Sequence, residues 1–182
     1  MVLVLAIVIS TLIRTFCFEQ FRVPTGSMEQ TLEANDRIFV SKLSDYQRGD
    51  VVVFEDQLDW LTDSNEPTPW WRKPLELVGF LPNSSQQYLV KRLIGLPGDR
   101  VSCCSDRGKL EVNGYEIDEP YLYRYPDGSQ VAASDQSFDV VVPQGHFFVL
   151  GDHRNNSADS RYHLCDGNLA TPNQAFPDLE TI

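Results

Sequence analysis

The chain has 182 residues, of which 42% are hydrophobic, 23% charged and 11% aromatic, and 26 acidic against 15 basic residues give a formal net charge of −11. This length and apolar content suit one folded domain with its own core, and they exclude a disordered or fibrous protein. The acidic balance repels a phosphate backbone, so we expect no nucleic-acid partner.

The first residues are almost wholly apolar. Residues 2–13 read VLVLAIVISTLI, and Arg14 follows. As a helix this run is about 18 Å long, whereas the hydrocarbon core of a bilayer is roughly 30 Å thick. A signal-peptide core is disfavoured because no basic leader precedes the run and no small-residue cleavage site follows it, and a buried helix is disfavoured because no polar face is present. We therefore interpret residues 1–21 as a partial transmembrane helix that begins upstream of residue 1, followed by the membrane exit near Arg14.

The remainder predicts a mainly β fold. Runs rich in Val, Phe and Ile, separated by turn residues, predict strands at Arg37–Ser41, Asp50–Phe54, Gln87–Ile94, Leu110–Val112, Phe138–Val142 and His146–Leu150. Asn113-Gly114 predicts a two-residue hairpin turn between LEV and YEI. Pro143-Gln144-Gly145 predicts a second hairpin between FDVVV and HFFVL.

Residues 55–87 differ in character, with Trp60, Trp70 and Trp71 and several prolines. One interpretation is an irregular insertion packed on a sheet. The other is a surface that rests on a membrane, because Trp beside Arg72 and Lys73 suits an interface.

A serine after this apolar start is the first candidate for chemistry. Ser27 lies in the sequence PTGSM, where a turn after proline exposes a hydroxyl for nucleophilic attack beside backbone N–H groups. The same residues also fit an ordinary loop serine or the capping box of a helix. Ser27 therefore needs a partner base.

The candidate base is Lys91 in YLVKRLIG. In a strand, alternation places Lys91 with Leu89 and Leu93 on one face and Arg92 on the other, so one cation lies among apolar side chains. At an edge strand both cations extend into water. In an apolar site, desolvation lowers the lysine pKa toward neutrality and allows the amine to act as a general base.

Residues 151–161 read GDHRNNSADSR, a run dense in polar groups after the strand HFFVL. Such a run suits a solvated loop. It also holds the Ser, Asp and Arg residues that a scaffold orienting a base requires.

Together these three segments resemble the bacterial type I signal peptidases. PTGSM resembles the nucleophile motif of that family, YLVKRLIGLPGD its lysine motif and GDHRNNSADSR its C-terminal motif, in the right order after a hydrophobic helix. NDRIFVSK and RGDVVVF resemble the strands between them. The resemblance implies a fold of coiled antiparallel β-sheets, shared with LexA-like proteins, in which residues 22–182 form an extracytoplasmic catalytic domain.

The resemblance also implies residue roles. Ser27 matches the nucleophile, Lys91 the general base and Ser157 the residue that hydrogen-bonds and orients the lysine. The remaining matches are a supporting salt bridge (Asp159 and Arg161), a residue beside the nucleophile (Met28) and an oxyanion-hole hydroxyl (Thr25). The chain departs from the family at Thr25, which is often Ser, and at His153, which is often Asn.

The implied function is a membrane-anchored serine endopeptidase that removes signal peptides from preproteins after small residues, at A-x-A sites, on the outer side of the bacterial cell membrane. We expect no cofactor or metal, and we expect a monomer whose partners are signal peptides and the lipid bilayer.

Two alternatives use the same residues differently. A LexA-like self-cleaving protein has a Ser/Lys dyad but carries a DNA-binding helical domain instead of a hydrophobic segment. A non-catalytic, membrane-tethered β domain requires that Ser27, Lys91 and Ser157 lie apart.

The histidines and cysteines suggest weaker sites. A triad based on His146, His153 or His163 lacks supporting motifs, and a zinc site at His163 and Cys165 lacks a second ligand pair. Cys17 suits a small buried apolar residue. In an extracytoplasmic domain we expect a disulfide from Cys103 or Cys104 to Cys165, with the connectivity open. We also expect a little more chain after Ile182.

Overall fold

The computed structural model describes residues 17–43, 45–58, 60, 69, 87–164 and 175–179. Within these residues the chain is mainly β. The strands are β1 (Phe18–Arg22), β2 (Arg37–Ser41), β3 (Val51–Glu55), β4 (Tyr88–Gly95), β5 (Arg100–Cys103), β6 (Leu110–Val112), β7 (Tyr115–Glu116), β8 (Phe138–Val141) and β9 (Phe148–Leu150). The helical elements are 3₁₀ turns at Gly26–Met28 and Arg154–Asn156 and the short helix α1 (Ser160–Leu164).

The strands form three antiparallel sheets. β1 pairs with β2, from Phe18 opposite Ser41 to Arg22 opposite Arg37. The second sheet has the order β3-β4-β9 and the third the order β7-β6-β5-β8. This architecture confirms the prediction of a mainly β fold built from antiparallel sheets.

Strand β4 lies at the centre of the second sheet. Its residues from Leu89 to Gly95 are all buried, because β3 and β9 flank the strand and core clusters cover it. Leu93 packs with Phe54 and Phe147, whereas Val90 packs with Met28 in a separate cluster. A side chain on β4 is therefore withdrawn from water even where it is charged.

The described part of the chain confirms all six predicted strands, two of them with the predicted bounds and four with ends that differ by one or two residues. It also confirms the first hairpin, in which Val112 pairs with Tyr115 across Asn113 and Gly114. Both turn residues have positive φ, 55° and 80° respectively, as the hairpin turn requires.

The second predicted hairpin is wrong. β8 hydrogen-bonds to β5 in the third sheet, whereas β9 hydrogen-bonds to β4 in the second. Instead of pairing, the two strands pack across the core, where the ring centroids of Phe138 and Phe148 are 5.5 Å apart. Pro143-Gln144-Gly145 thus carries the chain from one sheet to another.

Some predictions concern residues that lie mostly outside the described ranges. The apolar run at 2–13 and most of the 55–87 insertion are among them, although Trp60 is described and packs its ring edge-to-face on Phe54. Within the described ranges, no helix combines the length and the apolar character that a membrane span needs. Cys165 also lies outside, and the structure joins Cys103 to Cys104 in place of the expected pairing with Cys165.

Candidate active site

Ser27 lies in a short 3₁₀ turn that follows β1. Thr25 precedes this turn in an extended conformation, and the N–H of Glu29 closes it on the carbonyl of Gly26 at 3.2 Å. Ser27 and Met28 are both buried. Residues Gly26–Met28 are called the Ser27 turn below.

Lys91 reaches the Ser27 turn from the middle of β4. Its Nζ lies 2.5 Å from Ser27 Oγ, within hydrogen-bond distance, although 64 residues separate them in the sequence. The exposed fractions are only 2% for Lys91 and 5% for Ser27. The two residues therefore form a buried, hydrogen-bonded pair.

Burial changes the acidity of the lysine. The pKa of Lys91 is lowered from 10.5 to about 8, mainly by desolvation; the Asp159 and Asp152 carboxylates oppose this lowering, and the Arg161 cation adds to it. At neutral pH this lowering increases the neutral fraction of the amine about 300-fold. A neutral amine at 2.5 Å is able to accept the proton of the Ser27 hydroxyl.

Thr25 places a second hydroxyl beside Ser27. Its Oγ1 donates a hydrogen bond to Ser27 Oγ over 3.3 Å. This position suits a donor to an oxyanion, because it lies on the chain just before the Ser27 backbone N–H.

The loop at residues 151–159 packs against the Ser27 turn. The N–H of His153 donates to the carbonyl of Ser27 over 3.0 Å. Gly151 has no room for a side chain, because a Cβ there would lie 2.3 Å from Ser157 Oγ and 2.6 Å from the Ser27 carbonyl oxygen. The loop and the turn thus meet at backbone distance, and Gly151 is what allows it.

Ser157 lies at this contact, next to Gly151. Its Oγ is buried and has no hydrogen-bond partner within the described part of the chain. Its role in orienting Lys91 stays a prediction.

Asp159 and Arg161 form a buried two-point ion pair. Arg161 donates from Nε to Oδ1 over 3.0 Å and from a terminal nitrogen to Oδ2 over 2.9 Å. Asp159 also accepts from the N–H of Gly151, and Arg161 donates to the carbonyl of Arg154. These bonds cross-link the loop that supports the Ser27 turn.

Met28 is fully buried in an apolar cluster beside the serine. Phe21, Val53 and Val90 are the other buried members. The cluster joins β1, β3 and β4 to the Ser27 turn, to which Met28 belongs.

Comparison with known proteins identifies the family. A family model described as signal peptidase, peptidase S26, matches residues 1–173. This chain belongs to the signal peptidase family.

Individual relatives agree with this assignment. Signal peptidase I of Mycobacterium tuberculosis is 37% identical over 179 residues, which cover 88% of this chain and 60% of that protein. Signal peptidase I of Bacillus amyloliquefaciens is 34% identical over 169 residues, covering 89% of this chain and 75% of that protein. Signal peptidase I S of Bacillus subtilis is 34% identical over 170 residues, covering 89% and 76%. The chain thus spans about 60% of the length of the mycobacterial relative.

In this signal peptidase family member, the structure brings the predicted site residues into one region. Ser27, Lys91 and Thr25 are linked by hydrogen bonds, Met28 is the next residue in the turn, and Ser157 lies against Gly151. Asp159, in its ion pair with Arg161, accepts a hydrogen bond from the N–H of Gly151.

Sequence reasoning missed the partner of Arg92. The alternation predicts one buried cation on β4, whereas the structure buries both. Arg92 donates to both carboxylate oxygens of Asp152, over 2.8 and 2.6 Å, and Thr31 donates to the same carboxylate. The sequence signal for this ion pair was the acidic residue in the GDHR segment. Because the two partners are 60 residues apart, local sequence does not show that they pair.

Two further contacts of the same loop were also missed. Arg154, almost fully buried, pairs with Glu119. His153 contacts Glu29 through its ring. Within the described ranges, no group of three or more His, Cys, Asp or Glu side chains is placed to hold a metal ion.

Proposed function

We propose that this chain is a membrane-anchored serine endopeptidase that removes signal peptides from secreted preproteins, with Ser27 as nucleophile and Lys91 as general base. The observation that carries the proposal is the buried pair with Nζ and Oγ 2.5 Å apart. Family membership supports the reaction class, because the relatives that the chain resembles are signal peptidases.

The reaction proceeds through an acyl-enzyme. Neutral Lys91 accepts the proton of Ser27 as Oγ attacks the scissile carbonyl. The Ser27 N–H and the Thr25 hydroxyl stabilise the oxyanion. The protonated Lys91 then gives its proton to the leaving amine, and water, deprotonated by Lys91, hydrolyses the ester. No histidine takes part.

The supporting residues keep Lys91 in place and out of water. Asp159 and Arg161 hold the loop at Gly151, and Ser157 orients the lysine as substrate displaces solvent from the site. The family resemblance implies a site that accepts small side chains, which suits an A-x-A substrate bound as an extended strand.

The bilayer contributes through local concentration. Residues 1–21 contain the anchor and the membrane exit, and residues 22–182 form the extracytoplasmic catalytic domain with the insertion at 55–87. Anchoring enzyme and signal-peptide core in one membrane raises the effective concentration of each for the other.

The test is cleavage of a preprotein with an A-x-A site by the full-length protein in lipid vesicles. Wild type should cleave, whereas Ser27→Ala and Lys91→Ala should each lose activity by at least about a thousandfold. The double variant should be little worse than either single variant, because the two residues act as a unit. Ser129, which is exposed, and Lys109, which is partly exposed, lie outside the site and supply control alanine variants, which should keep full activity. Full activity in Ser27→Ala or Lys91→Ala would contradict the proposal.

A further inference from the structure

His153 makes three contacts around the Ser27 turn that the mechanism above does not use. Its Nδ1 lies 2.7 Å from Glu29 Oε2. Its ring stacks on Tyr123, with the centroids 3.9 Å apart and the planes within 7° of parallel. Its backbone N–H donates to the Ser27 carbonyl. The side chain is only 13% exposed, so the ring orientation is fixed by packing as well as by hydrogen bonding.

Glu29 is held back over the start of the turn. A Cβ on Gly26 would lie 2.4 Å from Glu29 Oε1 and 2.8 Å from its Cδ, so the carboxylate occupies the space that a side chain at 26 would need. The N–H of Glu29 bonds to the carbonyl of Gly26. Glu29 therefore folds back onto Gly26 at the start of the Ser27 turn with both its backbone and its side chain, and His153 holds its carboxylate in that position.

The Ser27 turn needs such contacts from outside. It is a single 3₁₀ turn, and Thr25 makes no side-chain cap for it. Isolated 3₁₀ turns have poor hydrogen-bond geometry and little stability of their own. Hydrogen bonds from neighbouring loops must therefore determine where Ser27 Oγ lies relative to Lys91.

We propose that His153 is a positioning residue for the Ser27 nucleophile, acting through the carboxylate of Glu29. The inference rests on the proposed function. His153 touches neither the reacting atoms nor Lys91. By donating from Nδ1 to Glu29, it keeps the turn in the conformation in which Oγ faces Nζ.

The chemistry of the donor makes a sharp comparison possible. In asparagine the amide nitrogen is the same number of bonds from the backbone as histidine Nδ1, so His153→Asn is able to donate to the Glu29 carboxylate. In glutamine the amide lies one bond farther out, so His153→Gln changes size little but moves the donor. If His153 contributed only its side-chain volume, His153→Asn would not be the more active of these two variants.

The kinetic test measures kcat and KM for an A-x-A preprotein with the full-length protein in vesicles. His153→Ala, His153→Gln and Glu29→Ala should each lower kcat about tenfold with KM changed less than about twofold, because misplacing a nucleophile lowers the rate of the chemical step. His153→Asn should stay within about threefold of wild type. The double variant of His153→Ala and Glu29→Ala should be no slower than either single variant. His146→Ala, at a histidine outside the site, is the control and should behave as wild type.

A second measurement needs no substrate. Hydrogen exchange of the Glu29 backbone amide, which closes the turn, should accelerate about tenfold in His153→Ala and His153→Gln, but not in His153→Asn or His146→Ala. Unchanged exchange in His153→Ala overturns the inference, and so does an unchanged kcat or a double variant whose losses multiply. If wild type fails to cleave the preprotein, the proposed function fails, while the exchange rates still decide whether His153 holds the turn.

Discussion

The buried lysine should make the folded protein less stable at neutral pH than a neutral side chain of the same shape. Burial lowers the pKa of Lys91 from 10.5 to about 8. The folded state therefore binds this proton more weakly than the unfolded state, and the stability due to Lys91 rises as the pH rises from about 8 toward 10.5. At about 1.4 kcal/mol for each pH unit, the cost is about 3 kcal/mol at pH 7 and about 1 kcal/mol at pH 10.

Lys91→Met removes this cost and the activity together. It also removes the hydrogen bond to Ser27, which we take as about 1 kcal/mol. We expect Lys91→Met to be about 2 kcal/mol more stable than wild type at pH 7 and about as stable as wild type at pH 10. The result would be an inactive protein that is more stable than the active one, as expected where a charged group is buried for function.

The assay is urea unfolding of wild type, Lys91→Met and Ser27→Ala at pH 7 and pH 10. Ser27→Ala is the matched control, because it also breaks the hydrogen-bonded pair but keeps the buried lysine. The difference in unfolding free energy between Ser27→Ala and Lys91→Met should change from pH 7 to pH 10 by about as much as the difference between wild type and Lys91→Met. A difference between wild type and Lys91→Met that is the same at both pH values would refute the reasoning, since the lysine would then titrate alike in both states.

Three further predictions concern the groups around the dyad. Asp159→Asn leaves Arg161 buried without its partner, which should lower the free energy of unfolding in urea by about 3–5 kcal/mol. The Asp159 carboxylate raises the pKa of Lys91, so in this variant the basic group in the pH profile of kcat/KM should titrate at lower pH. Gly151→Ala should reduce preprotein cleavage by at least about a hundredfold, because its Cβ would lie 2.6 Å from the Ser27 carbonyl oxygen and displace the turn; cleavage at the wild-type rate would contradict the close packing. Thr25→Val should lower kcat by about 10- to 100-fold while Thr25→Ser keeps it within about threefold, and equal activity of the two would remove Thr25 from the oxyanion site.

Local patterns in the sequence account for much of the sheet structure. The run VVVF at residues 51–54 and the run YLVKRLI at 88–94 form strands because β-branched and apolar side chains pack well on a pleated, buried surface. Asn113-Gly114 forms its hairpin because both residues tolerate positive φ. The strands β1 and β5 were not predicted, since β1 has charged and polar residues between its two phenylalanines and β5 has only four residues, two of them polar or charged.

Local patterns do not determine which strands pair with each other, as β8 and β9 show. A three-residue turn between two apolar runs predicts a hairpin, yet each run joins a different sheet. The burial of Phe148 between the two sheets and the hydrogen bonds offered by β4 and β5 come from distant parts of the chain. No window of local sequence contains that information.

At the candidate site, too, some features follow from local sequence and others depend on the tertiary structure. The sequence by itself determined the residue types, their order along the chain and the family they resemble, because the motifs around Ser27, Lys91 and residues 151–161 are short and local. Only the tertiary structure decided that Lys91 Nζ lies 2.5 Å from Ser27 Oγ, that Asp152 neutralises Arg92, and that His153 holds Glu29. The physical reason is that the pKa of a lysine depends on how much water and charge surround it, and that environment is assembled from strands and loops far apart in the sequence.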